Sequence, residues 1–293
     1  MKYGLLMILF MFLLGNSRAA QIRVCASCKV QTIDKALELA KPYDTLLLIG
    51  TFRIDSAYVI AKPIYIIGQN AVLDGQGKTG FWKIHTHDVH IRDLIMQHTG
   101  MSYVEDRAAI AITNSRKIDI VRVSVFQSYF GIYAYQSKHI TIQDCVFDGS
   151  GTNEFNAANG IHLWYCDSVL LRHNLITHHR DGIYLEFTNN SYIEQNISRN
   201  NIRYGMHFMF SNRDQYIHNT FQWNGAGVAV MYSHDITMRE NRFIHNYGAN
   251  AYGLLLKEIH DSKIGFNHFE HNTVGIFMEE CSRLSITDNT FLS

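Results

Sequence analysis

From residue 80 onward the apolar positions of this chain alternate with polar ones in short runs of four to six, and the runs recur. Aligned on Gly131, Gly160, Gly182, Gly205, Gly227, Gly253 and Gly275, each copy has apolar residues at offsets 1 and 3 and mostly a small residue at offset 6. An apolar or Tyr residue usually follows at offset 11, and offset 14 is usually Asn. The Asn positions are Asn174, Asn196, Asn219, Asn241, Asn267 and Asn289, with Cys145 in the same slot of the Gly131 copy. A second Asn follows five residues later, as Asn201, Asn224, Asn246 and Asn272. With Gly80 and Ala109 heading two looser copies, the units are 29, 22, 29, 22, 23, 22, 26 and 22 residues long. A fixed period of this length marks a solenoid. A unit holding only short strands cannot bury its own apolar face, so it must stack on its neighbours. The expected fold is therefore all-β, a right-handed parallel β-helix of about 22 residues per coil. Asn in one slot per coil predicts a ladder of amide hydrogen bonds. The repeated Gly is expected to serve turns through unusual φ.

Upstream, Thr32 precedes Ile33, Ala36, Leu37 and Ala40, the spacing of a short amphipathic helix with Thr as N-cap, ending before Pro42. It reads as the solenoid's N-terminal cap. Thr45 to Ile49, Tyr58 to Ile60, Ile64 to Ile67 and Ala71 to Leu73 are β-prone runs between turn residues. Lys2, the apolar run Leu5 to Leu14 and the small residues before Gln21 have the layout of a secretory signal peptide over residues 1–20. One domain is expected over residues 21–293, its cap at about 21–44. The chain ends in mid-coil at Ser293, so further coils are expected beyond it.

Composition narrows the partners. Lys plus Arg (26) balances Asp plus Glu (26), so there is no basic surplus to attract nucleic acid. Five cysteines in an exported chain leave at least one thiol unpaired unless it bonds another chain. Cys25 and Cys28 form a C-x-x-C. It is either a soft-metal or redox pair or a local disulfide, and the disulfide is favoured because no second C-x-x-C completes a four-ligand site. Cys145, Cys166 and Cys281 occupy repeat slots and read as small buried fillers.

Three stretches of padding, Gln97 to Ala108, Asp148 to Asn159 and Tyr247 to Tyr252, fall at one corner, just before the strand that each Gly heads. Loops gathered on one edge of a solenoid commonly frame its binding face. In that strand, alternation directs offsets 2 and 4 outward. Offset 2 reads Tyr133, His162, Tyr184, His207, Ala229, Leu255 and Phe277; offset 4 reads Tyr135, Trp164, Glu186, Met209, Met231, Lys257 and Glu279. This outer stripe is too aromatic and too rich in Met for solubility alone. Met209, Met231 and His207 suit Cu(I), a soft ion that thioether and imidazole bind well. A protein-docking surface favours the same residue types, and an adjoining loop covering the stripe would also account for it. From another class, Asp181 and Glu186, near Arg180, form a carboxylate pair whose separation would decide a carbohydrate mechanism.

Residues 160–289 closely resemble the NosD family of exported β-helix proteins required for maturation of nitrous-oxide reductase. The resemblance rests on His179–Tyr184, Arg203–Ser211, Asn224–Ser233 and Ala251–Ile259, phrases that generic β-helices do not share. It implies a periplasmic protein, membrane-associated through an ABC transporter with its membrane subunit and ATPase. It further implies a copper chaperone and nitrous-oxide reductase as partners, and assembly work with transient copper rather than catalysis. On this reading no catalytic or resident cofactor-binding residue is assigned. His207, Met209 and Met231 are the candidate Cu(I) ligands, and His162, Trp164, Tyr184, Glu186, Arg180, Asp181 and Lys257 the candidate docking residues. The Cys25/Cys28 pair has no role implied by the resemblance. The alternative is a polysaccharide-binding or carbohydrate-active β-helix protein.

Overall fold

A computed structural model describes residues 19–102, 104–248 and 251–293; most of the expected signal peptide lies outside them. The chain winds as a right-handed parallel β-solenoid of about 12 turns, each about 23 residues, slightly longer than the basic repeat because of the padded coils. All described strand pairings are parallel, each strand meeting its counterpart one turn on. The expected helix is present as Ile33–Leu39, with the Thr32 hydroxyl accepting from the Lys35 N–H, and it precedes the first full coils as a cap. The early β-prone runs form the strands Thr45–Arg53, Tyr58–Ile60 and Ile64–Asp74.

Each later turn has three faces, represented in one coil by the strands Tyr204–Met209, Gln215–Ile217 and Thr220–Gln222. Strands of the first kind make a ten-stranded sheet along the molecule. Alternation works as expected inside it: Ile161 and Leu163, Ile183 and Leu185, Met206 and Phe208, and Val228 and Val230 are all fully buried. Phe221, Phe243, Phe269 and Phe291 stack up the interior with ring centroids 4.6–5.5 Å apart, the coil spacing of a parallel sheet.

The corners follow one rule. In the Gly205 coil the chain turns at Phe210, Arg213, His218 and Trp223, all with φ between 50° and 59°. Each is followed by a buried small or polar residue, respectively Ser211, Asp214, Asn219 and Asn224. Those four residues hydrogen-bond to the coil before: Ser211 Oγ accepts from Thr188 N–H, Asp214 Oδ1 from Ser191 N–H, Asn219 Oδ1 from Asn196 N–H and Asn224 Oδ1 from Asn201 N–H. The two Asn ladders are thus built as expected, with side-chain Nδ2 to Oδ1 contacts of 2.9–3.0 Å from Asn174 to Asn289 and of 2.8–3.3 Å from Asn201 to Asn272. Each rung satisfies buried groups that would otherwise be costly. Asp214 stands in a corner column that also holds Ser191 and Ser262. Burial pushes its carboxyl up to about 8, while the Ser191 N–H, the Tyr216 hydroxyl and the charge of Arg213 temper the rise.

The repeated glycines have a different duty from the one expected. Among the described glycines only Gly50 and Gly77 have positive φ, so the column from Gly131 to Gly275 does not supply turns. A Cβ on Gly205 would stand 2.8 Å from the Gly227 carbonyl oxygen and 2.7 Å from Asn224 Nδ2. Close approach of stacked coils excludes a side chain there, and the left-handed turns are made instead by residues with side chains.

Four of the five cysteines sit as read from the sequence, and the free thiol Cys281, read as a buried filler, is only half-buried. Cys25 and Cys28 are disulfide-bonded, and Cys145 and Cys166 are buried free thiols.

Candidate functional site

The outer surface of the ten-stranded sheet carries three columns of side chains. At offset 2, the rings of Tyr133, His162, Tyr184 and His207 follow one another edge to face, with centroids 5.1, 4.7 and 5.1 Å apart. At offset 4, Tyr135 packs on Trp164 at 5.0 Å. Trp164, Glu186, Met209, Met231 and Lys257 then occupy successive registered positions. The sequence parity therefore places His207, Met209 and Met231 on one outer surface, with Met209 and Met231 as direct cross-strand neighbours.

A third column was not read from the sequence. At offset 5, Tyr165, Phe187, Phe210 and Tyr232 stack nearly parallel, with centroids 4.7, 4.9 and 4.9 Å apart and interplanar angles of 12° or less. All four have φ near +50°, and Tyr165, Phe210 and Tyr232 are exposed. The signal lay in the column itself, aromatic in four consecutive coils. Its members are bulky residues in a left-handed conformation that such residues rarely adopt, so a turn reading passes over them.

Not all of the stripe is open to solvent. The padding contributes Ala108 and Ala158, which pack with Phe130, Tyr129 and Tyr133 into a second, external apolar cluster. Asn159 lies 3.3 Å from His162 Nδ1. Burial and, secondarily, Arg180 push the His162 imidazole down to about 4, so it is neutral at neutral pH. His207, expected on the exposed stripe, is only 7% exposed. Tyr184 and Tyr204 flank its ring at 5.1 and 4.9 Å.

The polar centre beside His207 is Asp181. Its side chain is fully buried and takes a two-pronged bond from Arg203, Nε to Oδ1 at 2.8 Å and Nη2 to Oδ2 at 2.5 Å. Burial alone would raise this carboxyl, but the Arg203 hydrogen bonds outweigh it and hold the group below its ordinary value. Arg203 lies over the Tyr204 ring at 5.0 Å, and His207 Nδ1 is 3.8 Å from Asp181 Oδ2. That separation allows a charge contact when the ring is protonated but is too long for a hydrogen bond. Glu186 stands at the other end of the Asp181 strand and accepts from the Tyr184 hydroxyl at 3.2 Å. Five residues of extended chain set their Cα atoms about 16 Å apart. The Asp181 carboxylate is buried and held by Arg203, unlike the open acid pair of a glycosidase, whose carboxylates lie roughly 5–9.5 Å apart. Lys257 is ion-paired to Glu279 at 3.2 Å.

Buried polar atoms without a hydrogen-bond partner collect around this face. Asn159 Oδ1, Trp164 Nε1, Arg180 Nε and both ring nitrogens of His207 are among them. Such atoms are uncommon in folded proteins, and a group of them on one face marks a place where a ligand or water completes the bonding. Among the described residues no three His, Cys, Asp or Glu side chains converge as a metal cluster. The soft donors Met209 and Met231, with the unsatisfied His207 imidazole, make a chemically different set.

Comparison with known proteins supports the family recognised in the sequence. Residues 150–293 match the family described as "Periplasmic copper-binding protein (NosD)". No curated protein matches the chain in sequence. Among solved structures, the surface adhesin PfbA of Streptococcus pneumoniae is similar with a TM-score of 0.65 at 13% identity, over 89% of this chain and 85% of that one. A point mutant of the periplasmic alginate epimerase AlgG superimposes with a TM-score of 0.57 at 12% identity, over 93% and 83% of the two chains. The A-module of the mannuronan C-5 epimerase AlgE4 of Azotobacter vinelandii gives 0.55 at 14% identity, over 86% and 91%. At such identities these likenesses establish the shared fold alone.

Proposed function

Taking residues 150–293 as a segment of the NosD family, we propose that the protein is a periplasmic accessory factor for copper-site assembly that holds Cu(I) transiently on the outer face of its ten-stranded sheet. Copper is the cargo, received from a chaperone and passed toward nitrous-oxide reductase, with an ABC transporter as the membrane-bound partner. The observation that carries this reading is the registered Met209 and Met231 pair beside His207, whose ring nitrogens are both buried and unpartnered. Two thioethers and one imidazole are soft and borderline donors that favour Cu(I) over hard cations. A set so poor in charge releases the ion readily to a thiolate or a richer imidazole site, as a relay requires. The exposed ladder Tyr165, Phe187, Phe210 and Tyr232 runs beside the Met pair and offers aromatic area of the kind that protein interfaces use. His162, Trp164, Tyr184, Glu186, Arg180, Asp181 and Lys257 complete the docking surface; in it Asp181 and Arg203 hold each other and set the His207 environment.

A carbohydrate-active reading draws on the same aromatic ladders and on the epimerases that share the fold. Against it, the Asp181 carboxylate of its proposed pair is buried and engaged by Arg203. Competition for Cu(I) against a colorimetric chelator tests the relay: the wild type is expected to take up one ion on this face, and His207→Ala/Met209→Ala/Met231→Ala to lose it. Equal uptake by the two proteins, or cleavage or epimerisation of an acidic polysaccharide by the purified chain, would overturn the proposal.

A further inference from the structure

The Cys25–Cys28 disulfide lies apart from this face. Its two cysteines are 5.0 Å apart at Cα and half-buried, in a loop whose other residues, Ala26 and Ser27, are exposed. Backbone contacts, as well as the bond, hold the loop. The Cys28 N–H donates to the Cys25 carbonyl at 3.0 Å, the Cys25 N–H donates to the Val30 carbonyl at 3.3 Å, and Val24 bridges Val30. The preceding strand, Gln21–Val24, is paired along its length with Thr45 to Leu48. A disulfide that closes so short a loop also restricts the unfolded chain least. The bond therefore contributes little to the fold while its sulfurs remain reachable.

Two neighbours are placed to act on thiolates once the bond is open. Ser27 Oγ is 3.5 Å from Cys25 Sγ and is able to donate to a thiolate there, and the exposed Lys29 adjoins Cys28. Cationic neighbours and the C-x-x-C spacing both stabilise the thiolate form. Cys145 and Cys166 are the opposite case, buried thiols within the coil.

We infer that Cys25 and Cys28 form a redox-gated Cu(I) site: closed as a disulfide, and opened by a protein or small-molecule dithiol into a two-thiolate clamp. One thiolate of the reductant attacks a sulfur of the pair, breaking the S–S bond and forming a mixed disulfide. The second thiol of the reductant then displaces the remaining cysteine. Two electrons and two protons have passed to the pair, and the reductant leaves as its own disulfide. Cu(I) binds to both sulfurs with release of two protons and no change of oxidation state; soft thiolates select this ion. Met209 lies in the seventh strand of the ten-stranded sheet counted from the cap, roughly 30 Å away at the spacing of parallel strands, so the pair is a separate site. The inference rests on the copper-handling reading, and its test separates the two.

The full mature chain carrying Cys281→Ser, which removes the half-buried third thiol, is treated folded with dithiothreitol, freed of the reagent without air and loaded with Cu(I) under a competing chelator. The reduced protein is expected to hold one more ion per chain than the disulfide form. That increment should vanish in Cys25→Ser/Cys28→Ser and persist in His207→Ala/Met209→Ala/Met231→Ala, so a failure of the Met face leaves it intact. Equal uptake by reduced and oxidised protein overturns the inference. Resistance of Cys25 and Cys28 to alkylation after dithiol treatment of the folded chain overturns it as well.

Discussion

The interior corners and the outer face of the ten-stranded sheet obey the repeat in opposite ways. Along the corner column from Asn174 to Asn289 one residue type recurs and every rung closes the bonding of the last. On the outer face the same offset changes from Tyr to His to Ala or from Trp to Glu to Met, and buried polar atoms are left unpartnered at Asn159, Trp164, Arg180 and His207. A repeat conserves what each coil needs from its neighbour. Side chains that depart from it are free of that duty, and on the outer face of the ten-stranded sheet such departures fill successive coils.

The largest effect should come from breaking the ladder. Asn219 accepts from the Asn196 backbone and side-chain N–H groups and donates through Nδ2 to the Ile193 carbonyl and Asn241 Oδ1. Asn219→Ala leaves several buried groups unsatisfied, each worth about 1–3 kcal/mol. A loss of about 3–5 kcal/mol is expected in urea unfolding, against almost none for Met209→Ala on the half-exposed outer surface. Comparable losses at the two positions would erase the distinction between the regions.

That distinction was partly legible beforehand. The Gly and Asn columns gave the coil, because invariant spacing over many copies reports contacts between copies, and strand parity gave the side on which Met209 and Met231 stand. Parity does not say what lies above a side chain. His207 is covered by Tyr204 and Tyr184, of which Tyr204 belongs to no outward column. The duty of Gly205 was misread for a related reason: a glycine imposed by close approach and one imposed by φ look alike in a sequence. Within a coil the corner residues Phe210, Arg213, His218 and Trp223 share a backbone conformation and no chemical type, so residue class marks a corner only where one column repeats it, as the aromatic column of Phe210 does.

Next in size is the Asp181 and Arg203 pair, in which a buried carboxylate on the face is matched by a two-pronged cation. Arg203→Met strands that carboxylate, and a loss of about 3 kcal/mol is expected; adding Asp181→Asn should recover most of it. The wild-type contribution has a defined pH range. The folded-state pKa of Asp181 lies below its unfolded value, so the stabilisation is present above about 4 and is lost as pH falls through the folded value. Unfolding midpoints across acid pH check this, and additive losses in the double variant would contradict the pairing.

A smaller effect should appear where the ladder itself departs from the rule. His179 occupies the slot that Asn201, Asn224 and Asn246 fill in later coils. It is 1% exposed, and the backbone of Ala158 and Tyr129 only partly offsets the burial of its ring. Burial pushes the imidazole down to about 4, so its neutral form is required and stability falls as pH drops from about 6.5 toward 4. His179→Asn supplies an amide able to donate to Asn201 Oδ1 and should stabilise the protein by about 1 kcal/mol. It should also flatten that acid slope, leaving the part due to His162. A destabilised variant would mean that His179 serves the face rather than the ladder.

The claim that the departures serve copper is tested most directly by X-ray absorption at the copper edge, on Cu(I)-loaded protein with the Cys25–Cys28 disulfide kept closed. Two sulfur scatterers and one imidazole nitrogen are the expected shell, with the sulfurs lost in Met209→Ala/Met231→Ala and the imidazole in His207→Ala. A shell of nitrogen and oxygen alone, or one unchanged in both variants, would contradict the account.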